Sequence, residues 1–211
     1  MIGLVLAANL VAGTYSYKTS YHGVDIGTSK VTVTSTGGSM QVSEQTAGSY
    51  SGTSGNANAT LVLNADLSPA SYKATGTMAG NPISDSATIS GDTAQVTNAQ
   101  GTAATFKLTA DQKHFVVVDL GTVAGFVPLP AQMQAWQNAS VCAVVPSFGQ
   151  STVIAPDTSS TPARPAAVPA NDIALSFQSQ HTPFTEWYNP TTLIPDEIDI
   201  ASQGVTITRT P

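Results

Sequence analysis

Strand-sized runs of alternating polar and apolar residues, separated by turn residues, constrain the fold of this chain more than any other feature. In the first run, residues 14–21, the alternation places Tyr15, Tyr17 and Tyr21 on one face. A period of two is the period of a β-strand, so each such run predicts a strand with one buried face. Turn residues recur roughly every 8–12 residues, which is typical of an antiparallel sheet, sandwich or barrel.

The same criteria predict an all-β chain, a long antiparallel meander with only minor helix. Residues 48–58 are rich in Ser, Gly and Asn and are predicted to form a loop. The predicted strands span residues 14–21, 29–33, 40–46, 60–66, 71–78, 83–90, 93–97, 102–109, 115–118, 140–154 and 172–179, followed by three runs within 184–209.

One segment, residues 119–138, breaks this rhythm. Its apolar residues recur near helical spacing, whereas Pro128 and Pro130 interrupt any continuous helix. We therefore predict two short helices, over about residues 119–127 and 130–138, that lie against the sheet as a lid or plug.

The remaining segments set the domain organisation. Residues 14–211 are predicted to form a single β domain, with residues 155–171 as a Pro-rich loop that has no core potential. Residues 1–13 are apolar and uncharged, but a bilayer span needs about 20 residues. We interpret them as the remnant of an export signal or, alternatively, as a buried strand or a partner-docking arm.

The charge balance narrows the class of protein. Only 9% of the residues are charged, against about 25% in a typical soluble domain. Hydroxyl-bearing and small residues replace the charges, which favours an exported all-β protein of the periplasm or extracellular space over a cytosolic enzyme. The net charge of −6, with seven Lys and Arg residues, argues against nucleic acid and anionic lipid surfaces as partners.

No pattern of chemistry-bearing residues predicts a catalytic or metal site. His22, His114 and His181 lack metal-ligand spacing, and the sequence contains neither a nucleophile elbow nor a phosphate-binding loop. Cys142, the one cysteine, has apolar neighbours and is predicted to be buried. We therefore predict a protein that is not an enzyme and has no cofactor, with an uncharacterised hydrolase as a weaker alternative.

Asp196, Glu197 and Asp199 form an acidic cluster near the C-terminus. Neighbouring residues of a strand point to opposite faces, so Asp196 and Glu197 are not expected to serve one site. The cluster is predicted to lie on a solvated sheet edge, where charges discourage association with other strands. A weak calcium site is the alternative.

Both ends of the chain carry short motifs. The first is YSYKTSYHGVDIG at residues 15–27, and the second is WYNPTTLIP at residues 187–195, followed by Ile198, Gly204 and a last strand. These motifs resemble the opening hairpin and the closing segment of a large group of poorly characterised bacterial envelope proteins. That group is similar in fold to the lipoprotein carriers (LolA/LolB-like), in which a long antiparallel sheet curls as a half-barrel around helices. The chain departs from lipoproteins in having no cysteine near its N-terminus, so a covalent lipid anchor is not supported.

The resemblance implies a binding module whose concave apolar face shelters a lipid, an acyl chain or another hydrophobic molecule. The alternative for these residues is that the helices fill the concavity and the same side chains are simply core. A second reading of the whole protein is a structural or accessory subunit that docks on a protein partner in an envelope assembly. The candidate ligand-lining residues are Tyr17, Val31, Val33, Leu61, Leu63, Phe106, Leu108, Phe126, Met133 and Trp136.

Overall fold

The computed structural model describes residues 10–119, 121–157, 159, 161–179 and 182–211. These residues form one curled sheet of fifteen strands. The segment predicted as a signal remnant or docking arm lies mostly outside the described residues. None of the helices in the described part of the chain has the length and apolar composition needed to cross a membrane.

The strands follow one another closely along the chain. The first eight are β1 (Gly13–Tyr21), β2 (Val24–Thr36), β3 (Ser39–Tyr50), β4 (Thr53–Leu63), β5 (Pro69–Met78), β6 (Asn81–Ser90), β7 (Thr93–Thr97) and β8 (Ala103–Lys107). The other seven are β9 (Phe115–Val117), β10 (Val141–Val145), β11 (Gln150–Pro156), β12 (Ile173–Ser179), β13 (Phe184–Tyr188), β14 (Pro195–Ile200) and β15 (Val205–Thr210). One α-helix, α1 (Leu129–Ala135), and two single-turn 3₁₀ helices, Pro146–Phe148 and Ala201–Gln203, complete the described elements.

The sheet consists of two meanders joined at the middle. Strands β1 to β8 form the first half and β9 to β15 the second, and β1 pairs with β15 so that the two halves are continuous. Every neighbouring pair is antiparallel except β9 and β10, which are parallel. The predicted all-β meander, curled as a half-barrel with a short helix packed against it, is confirmed.

The parallel pair explains why the meander is interrupted once. Parallel neighbours cannot be joined by a tight hairpin and need a crossover of about a dozen residues or more. Residues 118–140 supply this crossover between β9 and β10, and they contain α1. We call residues 119–138 of this crossover the plug.

The first half is bent by a row of cross-strand glycines. Gly27 lies opposite Gly48, which in turn lies opposite Gly55. A Cβ atom would come within 2.6 Å of the Ile26 oxygen at Gly48 and within 2.4 Å of the Thr77 oxygen at Gly55. Only glycine tolerates such close backbone approach, which is how sheets are bent at barrel corners.

The glycine row also corrects one prediction. Residues 48–58 are not a loop: they complete β3 and begin β4, joined by a tight turn at Ser51 and Gly52. A composition rich in Ser, Gly and Asn normally indicates a loop. Here the small residues are needed within strands because the backbones of adjacent strands crowd together at the bend.

The far ends of the sheet approach each other without strand pairing. The Asn98 side-chain amide after β7 donates to the Ser147 carbonyl in the turn after β10, at 3.5 Å. A Cβ on the left-handed Gly149 would lie 3.2 Å from the Thr102 methyl group. The curl therefore brings the second half of the sheet against the first, while β8 and β9 remain its two edges.

The plug is buried, although it is less helical than predicted. Helix α1 begins after Pro128, and its first turn tolerates Pro130 because the first backbone N–H groups of a helix have no internal partner. The predicted helix over residues 119–127 is wrong, since the described residues 121–127 form turns and a bend. Gly125 shows the reason: a Cβ there would lie 2.3 Å from the Val117 carbonyl oxygen, so this segment is folded tightly onto β9.

The Pro-rich loop between β11 and β12 covers the outer face of the second half. Arg164 of this loop lies over the Trp187 ring at 5.0 Å and donates hydrogen bonds to the carbonyl groups of Pro169 and Asp172. Trp187 is consequently buried although it is on the outer face of β13. The loop thus has a packing role, to which the buried Val168 also contributes, although the sequence predicted no core potential for it.

We expect Trp187→Ala to lower the free energy of unfolding by about 3–5 kcal/mol, the usual cost of removing a large buried aromatic side chain. Urea denaturation of the variant and the wild type measures this difference. Loss of ligand binding with unchanged stability would instead make Trp187 a site residue.

Candidate functional site

The plug is tied to the first half of the sheet by one buried carboxylate. Glu44 Oε2, on the inner face of β3, accepts the backbone N–H groups of Val123 and Ala124 at 2.7 and 2.8 Å. Its other oxygen accepts the Thr46 hydroxyl, which is bonded in turn to the Ser29 hydroxyl. Burial raises the pKa of Glu44, and these donors partly offset the effect.

Further hydrogen bonds attach the plug to the same half. Tyr72 on β5 donates its hydroxyl to the buried Asp119 carboxylate at 2.8 Å. Within the part of the chain that the structure describes, no side-chain or backbone hydrogen bond joins residues 121–138 to strands β10 to β15. Two more hydrogen bonds hold the plug. The Gln132 side-chain amide donates to the Leu67 carbonyl at 2.9 Å, and the Trp136 indole N–H donates to the Asp66 carbonyl at 3.0 Å.

An apolar cavity of about 310 Å³ lies where the plug faces the second half of the sheet. At this side Phe126 of the plug contacts Phe184 of β13 edge to face, with 5.4 Å between ring centroids, and Phe184 stacks on Phe177 of β12. The cavity is lined by Val118, Phe126, Ala143, Val145, Phe148, Gln150, Ser151, Thr152, Ile154, Ser179, Thr182, Phe184, Ile200 and Gln203.

The mouth of the cavity includes an exposed aromatic ring. Phe148, in the 3₁₀ turn between β10 and β11, is 56% exposed yet lines the cavity. The turn ends at Gly149, whose left-handed backbone (φ 59°) glycine adopts without strain. Gln150, Thr182 and Gln203 supply amide and hydroxyl groups to the same lining.

The structure brings one of the ten predicted lining residues, Phe126, to this cavity. Phe106 and Leu108 lie partly buried at the edge of the core, near β8. The plug fills the concavity of the first half, so the remaining side chains are packed as core there: Tyr17, Val31, Val33, Leu61, Leu63, Met133 and Trp136.

A second buried glutamate has no partner. Glu186 lies on the inner face of β13, opposite Ile198 and Leu175, and is fully buried. Neither of its carboxyl oxygens has a hydrogen-bond partner among the residues that the structure describes. Burial raises the pKa of Glu186 well above its ordinary value, and a neutral carboxyl is the form that such a site favours.

The acidic cluster near the C-terminus is not a solvated edge, which corrects that prediction. Strand β14 lies between β13 and β15, and both Asp196 and Glu197 are buried. Asp196 forms an ion pair with Arg209, and burial together with the neighbouring Asp196 carboxyl raises the pKa of Asp172. Glu197 pairs across the sheet with Trp187 and Thr208 instead, so the two acids do not converge on one site.

The described residues contain no group of three His, Cys, Asp or Glu side chains placed to hold a metal ion. His22 sits in the turn after β1, and His114 stacks on Trp136 with 4.1 Å between ring centroids. His181 lies outside the described residues. Cys142 is buried, as predicted, and forms no disulfide within the described residues; burial raises the pKa of its thiol.

The fold is similar to that of a bacterial protein of known structure, a β-barrel-like protein of a domain of unknown function (DUF1849) from Brucella abortus. The two structures align with a TM-score of 0.54 over 96% of this chain and 97% of that chain, at 9% sequence identity. At that identity the likeness shows the fold alone. No protein-family model and no curated protein matches the sequence.

Replacing Glu44 tests how the plug is held. Glu44→Ala leaves two buried N–H groups without an acceptor, which costs about 1–3 kcal/mol for each group. We expect the free energy of unfolding in urea to fall by about 2–5 kcal/mol, within the range of broken buried networks. Glu44→Gln retains one carbonyl oxygen and should lose less. Equal stability of wild type, Ala and Gln variants would show that this carboxylate does not hold the plug.

Replacing Glu186 should increase the stability of the protein as the pH rises, whereas replacing Glu44 should decrease it. Because the folded-state pKa of Glu186 is raised, its contribution to stability is intact below the unfolded-state value near 4.5 and is lost as the pH rises towards the folded-state value. Glu186→Gln should therefore gain stability relative to wild type with increasing pH, by up to about 1.4 kcal/mol per pH unit. Urea titrations at several pH values above 4.5 measure the difference. A pH-independent difference would contradict the assignment of a neutral carboxyl.

Proposed function

We propose that this protein is a non-enzymatic binding protein that holds a small hydrophobic ligand in the cavity between the plug and the second half of the sheet. The observation that carries the proposal is the cavity itself. It is bounded by aromatic and aliphatic side chains and has a volume of about 310 Å³, which falls in the range of small-molecule sites.

The size of the cavity sets the size of the ligand. An apolar cavity of about 150 Å³ stays dry and takes up benzene. A volume of about 310 Å³ therefore has room for roughly twice that bulk, such as a medium-length alkyl chain or two fused rings. A whole phospholipid or the acyl chains of a lipoprotein exceed it.

Phe148 supports a site that opens to solvent. Exposed aromatic rings are costly in water, and an apolar patch at the mouth of a cavity is typical of a binding site. A ligand that entered beside Phe148 would cover part of the ring. The exposed Phe148 ring and the apolar cavity thus both favour a hydrophobic ligand.

The lining supports binding without catalysis. It contains hydroxyl groups, but none of the described lining residues is a His, Asp, Glu, Lys or Cys that could activate them. We also propose export to the bacterial periplasm or extracellular space. This part depends on the low charge content and on the resemblance to envelope proteins, including the lipoprotein carriers.

The binding test uses N-phenyl-1-naphthylamine, a neutral dye that fluoresces in apolar surroundings. We expect saturable fluorescence enhancement with the wild-type protein. Thr152→Trp fills the cavity and should weaken dye binding by at least about tenfold, or 1.4 kcal/mol. Val153→Trp is the matched control: Val153 is the next residue of β11, is exposed and does not line the cavity.

Saturable binding that Thr152→Trp removes and Val153→Trp retains would support the proposal. No saturable binding by the folded wild type, or equal binding by both variants, would contradict it. Native mass spectrometry of protein purified from its host would then separate a ligand carrier from an accessory subunit, which would elute with a protein partner and without a co-purifying small molecule.

A further inference from the structure

We propose that the cavity selects an uncharged amphiphile, an alkyl or aryl group bearing a hydroxyl or amide head, over carboxylates, phosphates and amines of the same size. The inference depends on the proposed function, because it specifies the ligand of the same cavity. It follows from the kinds of polar group that line the cavity and from where the charges of the chain lie.

The described lining residues carry polar groups but no charges. Of the fourteen lining residues, eight are apolar and six carry only a hydroxyl or a carboxamide. All seven basic side chains of the protein, five Lys and two Arg, are absent from the lining. An anionic head would give up water without meeting a cation, and burying an unpaired charge is strongly unfavourable.

The nearest acids lie behind the lining and supply no counter-ion for an anion. Asp119 directly follows the lining residue Val118 and is buried, and Glu186 lies two residues beyond Phe184 on the same face of β13. Among the described residues, neither carboxyl oxygen of Glu186 has a hydrogen-bond partner. A negative head would therefore find no cation in the lining or directly behind it.

The neighbouring acids do not form a site for an ammonium group either. Burial raises the pKa of both Asp119 and Glu186, which favours their neutral forms. Neither side chain is part of the lining, so a cationic head in the cavity would have no charged partner within contact. The arrangement therefore opposes both signs of charge.

The polar lining can recognise a neutral head. The Gln203 amide donates to the Thr182 hydroxyl at 3.4 Å, which is longer than a well-formed hydrogen bond. Gln150 is exposed at the same mouth. These amide and hydroxyl groups both donate and accept, so they match an alcohol or an amide and leave its chain to the apolar wall.

The test is competition with N-phenyl-1-naphthylamine, using the wild-type chain and three ligands of equal chain length: decan-1-ol, decanoate and decylammonium. At pH 8, decanoate and decylammonium are used below their critical micelle concentrations and decan-1-ol below its solubility limit. At this pH an ordinary histidine is uncharged, which covers His181 outside the described residues. We expect the inhibition constant of decan-1-ol to be at least about tenfold lower than that of either charged ligand.

A charge placed at the mouth provides the reciprocal test. Gln150→Lys should improve decanoate relative to decan-1-ol by about fivefold or more, since it supplies the missing cation. Val153→Lys, on the opposite face of the same strand, is the control and should leave the ratio unchanged. An unchanged ratio in Gln150→Lys would overturn the inference.

The two proposals fail in different ways. Equal or tighter binding of decanoate or decylammonium by the wild type, with dye binding still blocked by Thr152→Trp, would overturn the head-group selectivity and leave the binding function intact. Absence of saturable dye binding would overturn the binding function itself.

Discussion

The hydrogen bonds that the Glu44 carboxylate accepts from the N–H groups of Val123 and Ala124 fix the position of the plug inside the sheet. The parallel pairing of β9 and β10 demands a long crossover, but it does not determine where that crossover lies. A buried carboxylate must find donors, and the turn at the start of the plug offers two adjacent ones. Once they are joined, the plug fills the first half of the sheet, and a cavity remains beside Phe126, on the side of the second half.

The contrast between Glu44 and Glu186 shows that the inner face contains two electrostatic environments. Both residues are buried glutamates on inner faces of strands, yet three groups donate hydrogen bonds to the first, whereas the second has no hydrogen-bond partner among the described residues. The partnered acid organises the backbone around it. The unpartnered acid adds a group that favours neutrality beside the cavity wall, which is consistent with a ligand that brings no charge of its own.

The sequence predicted the strands well because a period-two pattern is local and each turn residue acts within a few positions. It failed where distant backbones meet: the Gly48 and Gly55 bend looks like a loop until neighbouring strands are in place, and Gly125 requires β9 beneath it. The residues of the candidate site were predicted least well. Walls of a cavity and walls of a core have the same alternation, so Ala143 or Thr152 could not be distinguished from Val31. The contact between Glu44 and Val123, which determines that the plug fills the first half of the sheet, joins residues 79 apart in sequence.

The position of the cavity follows from the difference between directional and non-directional contacts. Hydrogen bonds hold the plug at fixed distances of about 2.7–3.0 Å from the first half, so imperfect fit accumulates on the side without them. There, Phe126 meets Phe184 by one edge-to-face contact, and dispersion forces tolerate a gap at modest cost per atom pair. An apolar void costs stability when it is empty, and an apolar occupant removes that cost. The same asymmetry that secures the plug therefore leaves a cavity whose filling would stabilise the folded protein, which is the energetic basis of the proposed binding of a hydrophobic ligand.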